Sequence, residues 1–202
     1  MRVLLHGAVD VSFENELESR GLTLAREGYG AEFLVTLAPP VELAWLAELD
    51  PGTWMGTFDA WAREPFLAAQ SWLAEAIDRG SGAWVAVTSI LGTQPFPGGG
   101  AAGAGAMALQ TLVRIAALEG GPHGVRANAV AAGWSESTIP RSLDPDLAAA
   151  DAPLGRLAIP ADVAGTVAWL LSPAAAHVTG EVIRVDGGYT ITRGSRTDPR
   201  RD

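Results

Sequence analysis

Residues 83–132 read AWVAVTSILGTQPFPGGGAAGAGAMALQTLVRIAALEGGPHGVRANAVAA, and this stretch decides the fold. It opens on an apolar run, 83–89, and closes on a second, 125–132. Runs this short and this evenly apolar read as strands buried on both faces. Between them a Gly- and Pro-rich loop, 91–100, leads into a helical stretch at 103–119. Two buried strands joined through a helix form a βαβ unit, whose strands are parallel.

The same alternation continues in both directions. Residues 2–8 (RVLLHGA) and 32–38 (EFLVTLA) read as strands, the second ended by Pro39-Pro40. Between them 13–27 reads as a helix, with Phe13, Leu17, Gly21 and Leu24 on one face, Ser12 as N-cap, and Gly28 and Gly30 as stops. Residues 41–50 read as loop or short helix and 54–79 as a long helix carrying Phe58, Phe66, Leu73 and Ile77. Beyond the opening stretch, 133–155 is mostly loop with a short helix near 145–150, followed by helix 161–172 and strand 181–186. The expectation is an α/β fold, a doubly wound parallel sheet of about five strands. It forms one domain over 1–192, with 193–202 (RGSRTDPRRD) as a disordered tail.

Composition narrows the function. With 202 residues, 48% hydrophobic and 18% charged, the chain can bury one sizeable core. All 14 basic residues are Arg, and the net charge is −9. An acidic chain without a basic stripe argues against nucleic acid and anionic membranes as partners. Zero Cys excludes disulfides, thiolate ligands and Cys nucleophiles. Three His, at 6, 123 and 177, are not spaced for a metal cluster. The apolar run of Met1 to Gly7 is too short for a signal peptide, and the interrupted Ala/Gly stretch 98–108 is no membrane span; a cytoplasmic protein is expected.

Several stretches, taken together and in register, carry a family resemblance. They are Leu118-Glu119 through Pro122-His123-Gly124-Val125-Arg126-Ala127-Asn128-Ala129-Val130; Pro153-Leu154-Gly155-Arg156-Leu157 with Pro160, Asp162-Val163-Ala164 and Trp169-Leu170-Leu171; Val178-Thr179-Gly180-Glu181 through Val185-Asp186-Gly187-Gly188-Tyr189-Thr190; and Val87-Thr88-Ser89-Ile90. On these, residues 10–191 resemble the short-chain dehydrogenase/reductase family, especially the ketoreductases of fatty-acid and polyketide synthesis. The resemblance implies a Rossmann-like sheet in the order 3-2-1-4-5-6-7, a dinucleotide cofactor, and catalysis by a Ser, a Tyr and a Lys four residues after the Tyr.

The departures bear on function more than the matches do. Ser89 keeps the Ser position. Counting back from Asn128, or forward from Ser89, the Tyr position falls on Ala102 and the Lys position on Ala106, and neither alanine can move a proton. No shift of register restores the pair, since the only tyrosines are Tyr29 and Tyr189 and Lys is absent. The family's active-site Asn falls at Trp61, and its Asn-Ala-Gly strand end is Leu37-Ala38-Pro39 here. The first turn, Gly7-Ala8-Val9-Asp10-Val11-Ser12-Phe13, has one Gly, an acid and a Phe where a pyrophosphate needs bare backbone N–H groups. Asp10-Val11-Ser12 aligns best with the family's Asp-Val-Thr after its third strand, so the first two nucleotide-binding βα units read as deleted, and the resemblance then implies the order 1-2-3-4-5 in this chain's own numbering.

Ser89 reads as a strand-end hydroxyl, retained and inactive, because nothing in sequence supplies a base beside it. His6 could form an acid/base couple with Asp10, although a structural His is the commoner case. Trp61 and Trp134 are expected to plug the old cleft, His123 to face solvent, Thr138 to be loop, and Asn128 and Asp186-Gly187-Gly188 to set a strand and a turn.

Together these readings predict a non-catalytic subunit with no cofactor of its own. It would pair with a complete, NADPH-dependent ketoreductase paralogue, or with itself, through helices 54–79 and 103–119, and an acyl carrier protein is a further candidate partner. The alternative is a repurposed cofactor-free cyclase, dehydratase or isomerase using His6, Asp10, Ser89 or Glu136. A third reading is a reductase completed by a partner's residues.

Overall fold

The computed structural model describes residues 1–7, 10–27 and 30–192. The tail expected at 193–202 lies outside them. The chain runs β1 (Arg2–Gly7), α1 (Val11–Ser19), β2 (Thr23–Ala25), β3 (Phe33–Leu37), α2 (Pro51–Phe58), a π-helical turn (Asp59–Arg63), α3 (Glu64–Arg79), β4 (Gly82–Ser89), α4 (Gly100–Gly120), β5 (Val125–Ala132), α5 (Pro145–Asp151), α6 (Pro160–Leu171), β6 (Val182–Val185) and α7 (Tyr189–Thr192). All strand pairs are parallel, in the order β2-β1-β3-β4-β5-β6.

The uniformly apolar strands behave as their sequences require. Every residue of β3 is buried, because helices cover both faces. On one face Val3, Leu5, Val35 and Val85 pack against Phe13 and Leu17 of α1 and Val163, Val167 and Leu170 of α6. On the other, Leu34, Trp84, Ala127 and Ala129 pack against Trp72 of α3 and Leu109 and Val113 of α4. Helix α4 is long and apolar enough to cross a membrane by length and composition, but half of its apolar window is buried inside the fold, as in a core helix. Its indole neighbour Trp84 donates from Nε1 to Thr36 Oγ1 at 3.1 Å, satisfying a polar group in the middle of the sheet.

The expected helix 13–27 is corrected by the structure. It starts earlier, capped by Asp10, whose Oδ1 accepts from Ser12 N at 2.9 Å, and ends at Ser19. Gly21 then takes a left-handed φ of +82°, Leu22 is buried, and Thr23–Ala25 pairs with Arg2–Leu4 as a sixth strand. The 3.6-residue periodicity of the segment was outweighed by the unpaired edge of β1, which a short strand covers. The connection from β2 back to β3 is tied to α3: Gly30 N donates to Glu75 Oε2 at 3.0 Å and Trp72 Nε1 donates to Ala31 O at 2.9 Å.

Candidate functional site

The C-terminal ends of β1, β3, β4 and β5 meet at one edge of the sheet, where doubly wound folds bind ligands. The inner part of this edge is filled. Ser89, at the end of β4, is 7% exposed; its Oγ accepts from Leu91 N at 3.1 Å and its carbonyl accepts from Gln110 Nε2 at 3.2 Å. Ala102 and Ala106 are fully buried in a cluster with Trp61, Ile90, Leu91, Ala131, Trp134 and Tyr189. Trp61 sits in the π-helical turn, a single-turn irregularity of the kind that re-phases a helix. It is admitted by Gly105, where a Cβ would stand 2.5 Å from Trp61 Cβ. Trp134 meets Phe96 and Tyr189 edge to face, at centroid distances of 5.7 and 6.4 Å. Around Ser89, Trp61 and Trp134 a cavity of only about 50 Å³ remains. Both tryptophans thus plug the inner end.

The outer part is open. A cleft of about 270 Å³ is walled by Phe13, Leu37, Ile159, Pro160 and Val163, with Asp10, Ser135, Ser137 and Thr138 at its polar positions. Ser135 and Thr138 share a hydroxyl hydrogen bond of 2.8 Å. Asp10 places a carboxylate at the N-terminus of α1, where a dinucleotide's pyrophosphate would need bare N–H donors. Among the described residues no Arg lines the cleft. The described residues therefore do not fit a dinucleotide. Beside the cleft, Arg156 donates to Asp162 through both terminal guanidinium nitrogens, at 2.7 and 2.9 Å, and Asp162 Oδ2 also accepts from Ile159 N at 2.9 Å. The Arg156 hydrogen bond, helped by the Ile159 N–H and the Arg156 charge, holds the Asp162 carboxyl below its ordinary range against the opposing effect of desolvation.

The sequence candidates do not all converge. His6 opens onto a different cleft, on the α3 side of the sheet, with Arg26, Ser71 and Glu75. Asp10 lines the outer cleft on the α1 side, and among the described residues no hydrogen bond or ion pair joins it to His6. Glu136 is exposed and lines none of these cavities. His123 faces solvent. Thr138, expected to be mere loop, lines both the outer cleft and the inner cavity. Asn128 is structural: its Nδ2 donates to Val178 O at 2.9 Å and its Oδ1 accepts from Glu181 N at 3.1 Å. Asp186 caps the last turn through Gly188 N and Thr190. Sequence reasoning missed Ser135, Ser137, Ile159 and Val163, which come together only when the loop after β5 folds across the sheet's edge; no local pattern marks them.

A parallel sheet with this crossover pattern, and a ligand edge at the C-terminal strand ends, defines a Rossmann-like protein. The chain belongs to the short-chain dehydrogenase/reductase family: residues 4–190 match the family model described as enoyl-(acyl carrier protein) reductase. It is 35% identical over 185 residues to cis-4-hydroxycyclohexanecarboxylate dehydrogenase of Sinomonas cyclohexanicum, covering 90% of this chain and 74% of that one. It is 37% identical over 134 residues to the protein named inactive 2-(S)-hydroxypropyl-CoM dehydrogenase 2 of Xanthobacter autotrophicus, covering 62% and 58%. The solved acetoin dehydrogenase of Salmonella typhimurium superposes with a TM-score of 0.73 at 25% identity, over 95% of this chain and 76% of that one.

Set on the family order 3-2-1-4-5-6-7, the observed sheet reads 2-1-4-5-6-7. The shortening of the nucleotide-binding half thus falls on the third strand and its flanking helices, and an abbreviated first βαβ unit remains. Alignment of Asp10-Val11-Ser12 with the segment after the third strand is corrected accordingly: these residues begin the crossover from β1 to β2.

Proposed function

We propose that this chain is a non-catalytic subunit that pairs with and stabilises an active NADPH-dependent ketoreductase of fatty-acid or polyketide type, acting on an acyl carrier protein-bound β-keto substrate. The observation that carries the reading is the burial of Ala102 and Ala106 in one cluster with Trp61, which puts a side chain unable to relay a proton at both positions. NADPH would belong to the partner, because Asp10 lines the cleft and no cation does so among the described residues, which disfavours a dinucleotide here. Pairing is supported by exposed apolar residues on the two helices at issue: Phe66 and Leu67 on α3, and Met107, Ile115 and Leu118 on α4. Neither nucleic acid nor membrane is a proposed partner, and the location is cytoplasmic.

Co-expression with reductase paralogues from the same source, followed by affinity purification and native mass measurement, tests this. The expected result is a stoichiometric complex whose reductase activity falls when this chain is omitted, and which Ile115→Arg dissolves without unfolding the chain. A chain that ignores every paralogue overturns the reading. The second reading, a cofactor-independent cyclase, dehydratase or isomerase, is favoured by the open outer cleft. The separation of His6 and Glu136 from that cleft counts against the catalytic set first considered for it.

A further inference from the structure

The sheet is not covered evenly. On the α1 and α6 side of β1, Val3 and Leu5 are 0% and 1% exposed, whereas on the α3 side Leu4 and His6 are only half-buried. The cause is the connection from β2 to β3. It runs back across the sheet, opposite in direction to the step from β1 to β2, so right-handedness puts it on the face opposite α1. Gly30 and Ala31 of this connection are accordingly hydrogen-bonded to Glu75 and Trp72 of α3. Crossovers between parallel strands usually take about a dozen or more residues and contain a helix. Residues 26–32 make this one, and among the described residues they hold no helix. A groove of about 360 Å³ stands where that helix would lie, floored by Leu4 and Ala68 and edged by His6, Glu27, Ser71 and Glu75. Parallel sheets are covered on both faces, so this face calls for a cover.

We propose that this groove docks an amphipathic α-helix of a partner protein, seated beside α3, with apolar residues on Leu4 and Ala68 and Arg or Lys residues toward Glu27 and Glu75. The seat is that of a crossover helix, and a helix laid in a groove presents apolar anchors at i, i+3, i+4 and i+7. The charge follows from the walls. Arg26 also lines the groove, but it pairs with Glu14 on the far side of the sheet and donates to Gly7 O at 3.3 Å. Glu75 Oε2 accepts only an uncharged donor, Gly30 N, at 3.0 Å. Among the described residues neither Glu27 nor Glu75 meets a cation, so two carboxylates stand uncompensated above an apolar floor. A second copy of this chain, paired through the same face, would bring its own two carboxylates to them, and like charges across an interface repel. A cationic helix from a different protein complements both the shape and the charge. The groove is complete in one chain, so it is displayed whether or not the pairing proposed above occurs.

The test is titration of the full-length ¹⁵N-labelled chain with two synthetic helical peptides that share one leucine stripe, the first with arginines flanking the stripe and the second with glutamates in their place. The arginine peptide is expected to bind to saturation and to shift the amide resonances of His6, Ala31 and Glu75, and the glutamate peptide to leave them in place. Glu27→Gln combined with Glu75→Gln is expected to weaken the apparent Kd by about tenfold or more (about 1.4 kcal/mol). Glutamine at 75 keeps an acceptor for Gly30 N. Ser71→Arg, at an exposed position on the groove wall, fills the seat with a like charge and is expected to abolish binding. Preserved dispersion of the other amide resonances establishes that each variant is folded. Absence of saturable binding, equal binding of the two peptides, shifts confined to the neighbourhood of Phe66 and Ile115, or an unchanged Kd in the folded variants would each overturn the proposal.

Discussion

The two ends of one cleft have had opposite fates. At the inner end, where the family resemblance implies a Tyr and a Lys, two alanines and a glycine on α4 make room for Trp61, and Trp134 closes the other side. At the outer end, where a dinucleotide would lie, Phe13, Leu37, Ile159 and Val163 line an open cleft of about 270 Å³. The difference teaches that losing a reaction and losing a pocket are separable. Deleting the large polar side chains of a buried centre leaves a void, and voids in close-packed interiors are costly, so the centre must be refilled. A cleft that opens to solvent carries no such penalty and can persist.

Substitutions sharpen this contrast in order of expected effect. Trp61→Ala should destabilise the protein by about 3–5 kcal/mol, measured by urea unfolding, because it empties the plug. A loss below about 1 kcal/mol would mean that the inner end is not tightly filled. Gly105→Ala should cost about 1–3 kcal/mol through the clash with Trp61, although alanine is otherwise the better helix former by about 1 kcal/mol. A stabilised variant would break the argument that Gly105 exists to admit the indole. Restoring the family pair, with Ala102→Tyr and Ala106→Lys together, should lower stability and give no NADPH-dependent reduction in an absorbance assay, since both positions are fully buried.

At the outer end the effects should be small. Ile159→Ala is expected to change stability by less than about 0.5 kcal/mol, as the residue is 52% exposed. Asp162 gives a pH signature beside the same cleft. Its folded pKa lies below the ordinary 3.8, chiefly through Arg156, so its contribution is present above the ordinary value and is lost as pH falls through the lowered one. Thermal melts across the acid range should therefore show a shallower decline for Asp162→Asn than for the parent chain.

Much of this was legible in the chain itself. The runs 83–89 and 125–132 fixed parallel neighbours, and the structure pairs them along β4 and β5, from Gly82 opposite Val125 to Ser89 opposite Ala132. The alanines at 102 and 106 announced a missing proton relay by identity alone, and Trp61 and Trp134 announced a plug by bulk. The strand at 23–25 was not legible, because three residues beside a helical pattern carry no period of their own. Nor was the divorce of His6 from Asp10 apparent: they are near in sequence, yet they line clefts on opposite faces of the sheet.

The sequence by itself determined the βα alternation, the parallel sheet and the absence of a Tyr/Lys pair, because these depend on residue identity and local periodicity. Only the tertiary structure decided that a short strand caps the β1 edge, that Gly105 yields its space to Trp61, and that Ser135, Ser137, Ile159 and Val163 share one wall. These are consequences of packing between segments far apart in the chain, where the need to pair an edge and fill a void selects among conformations that local sequence leaves open.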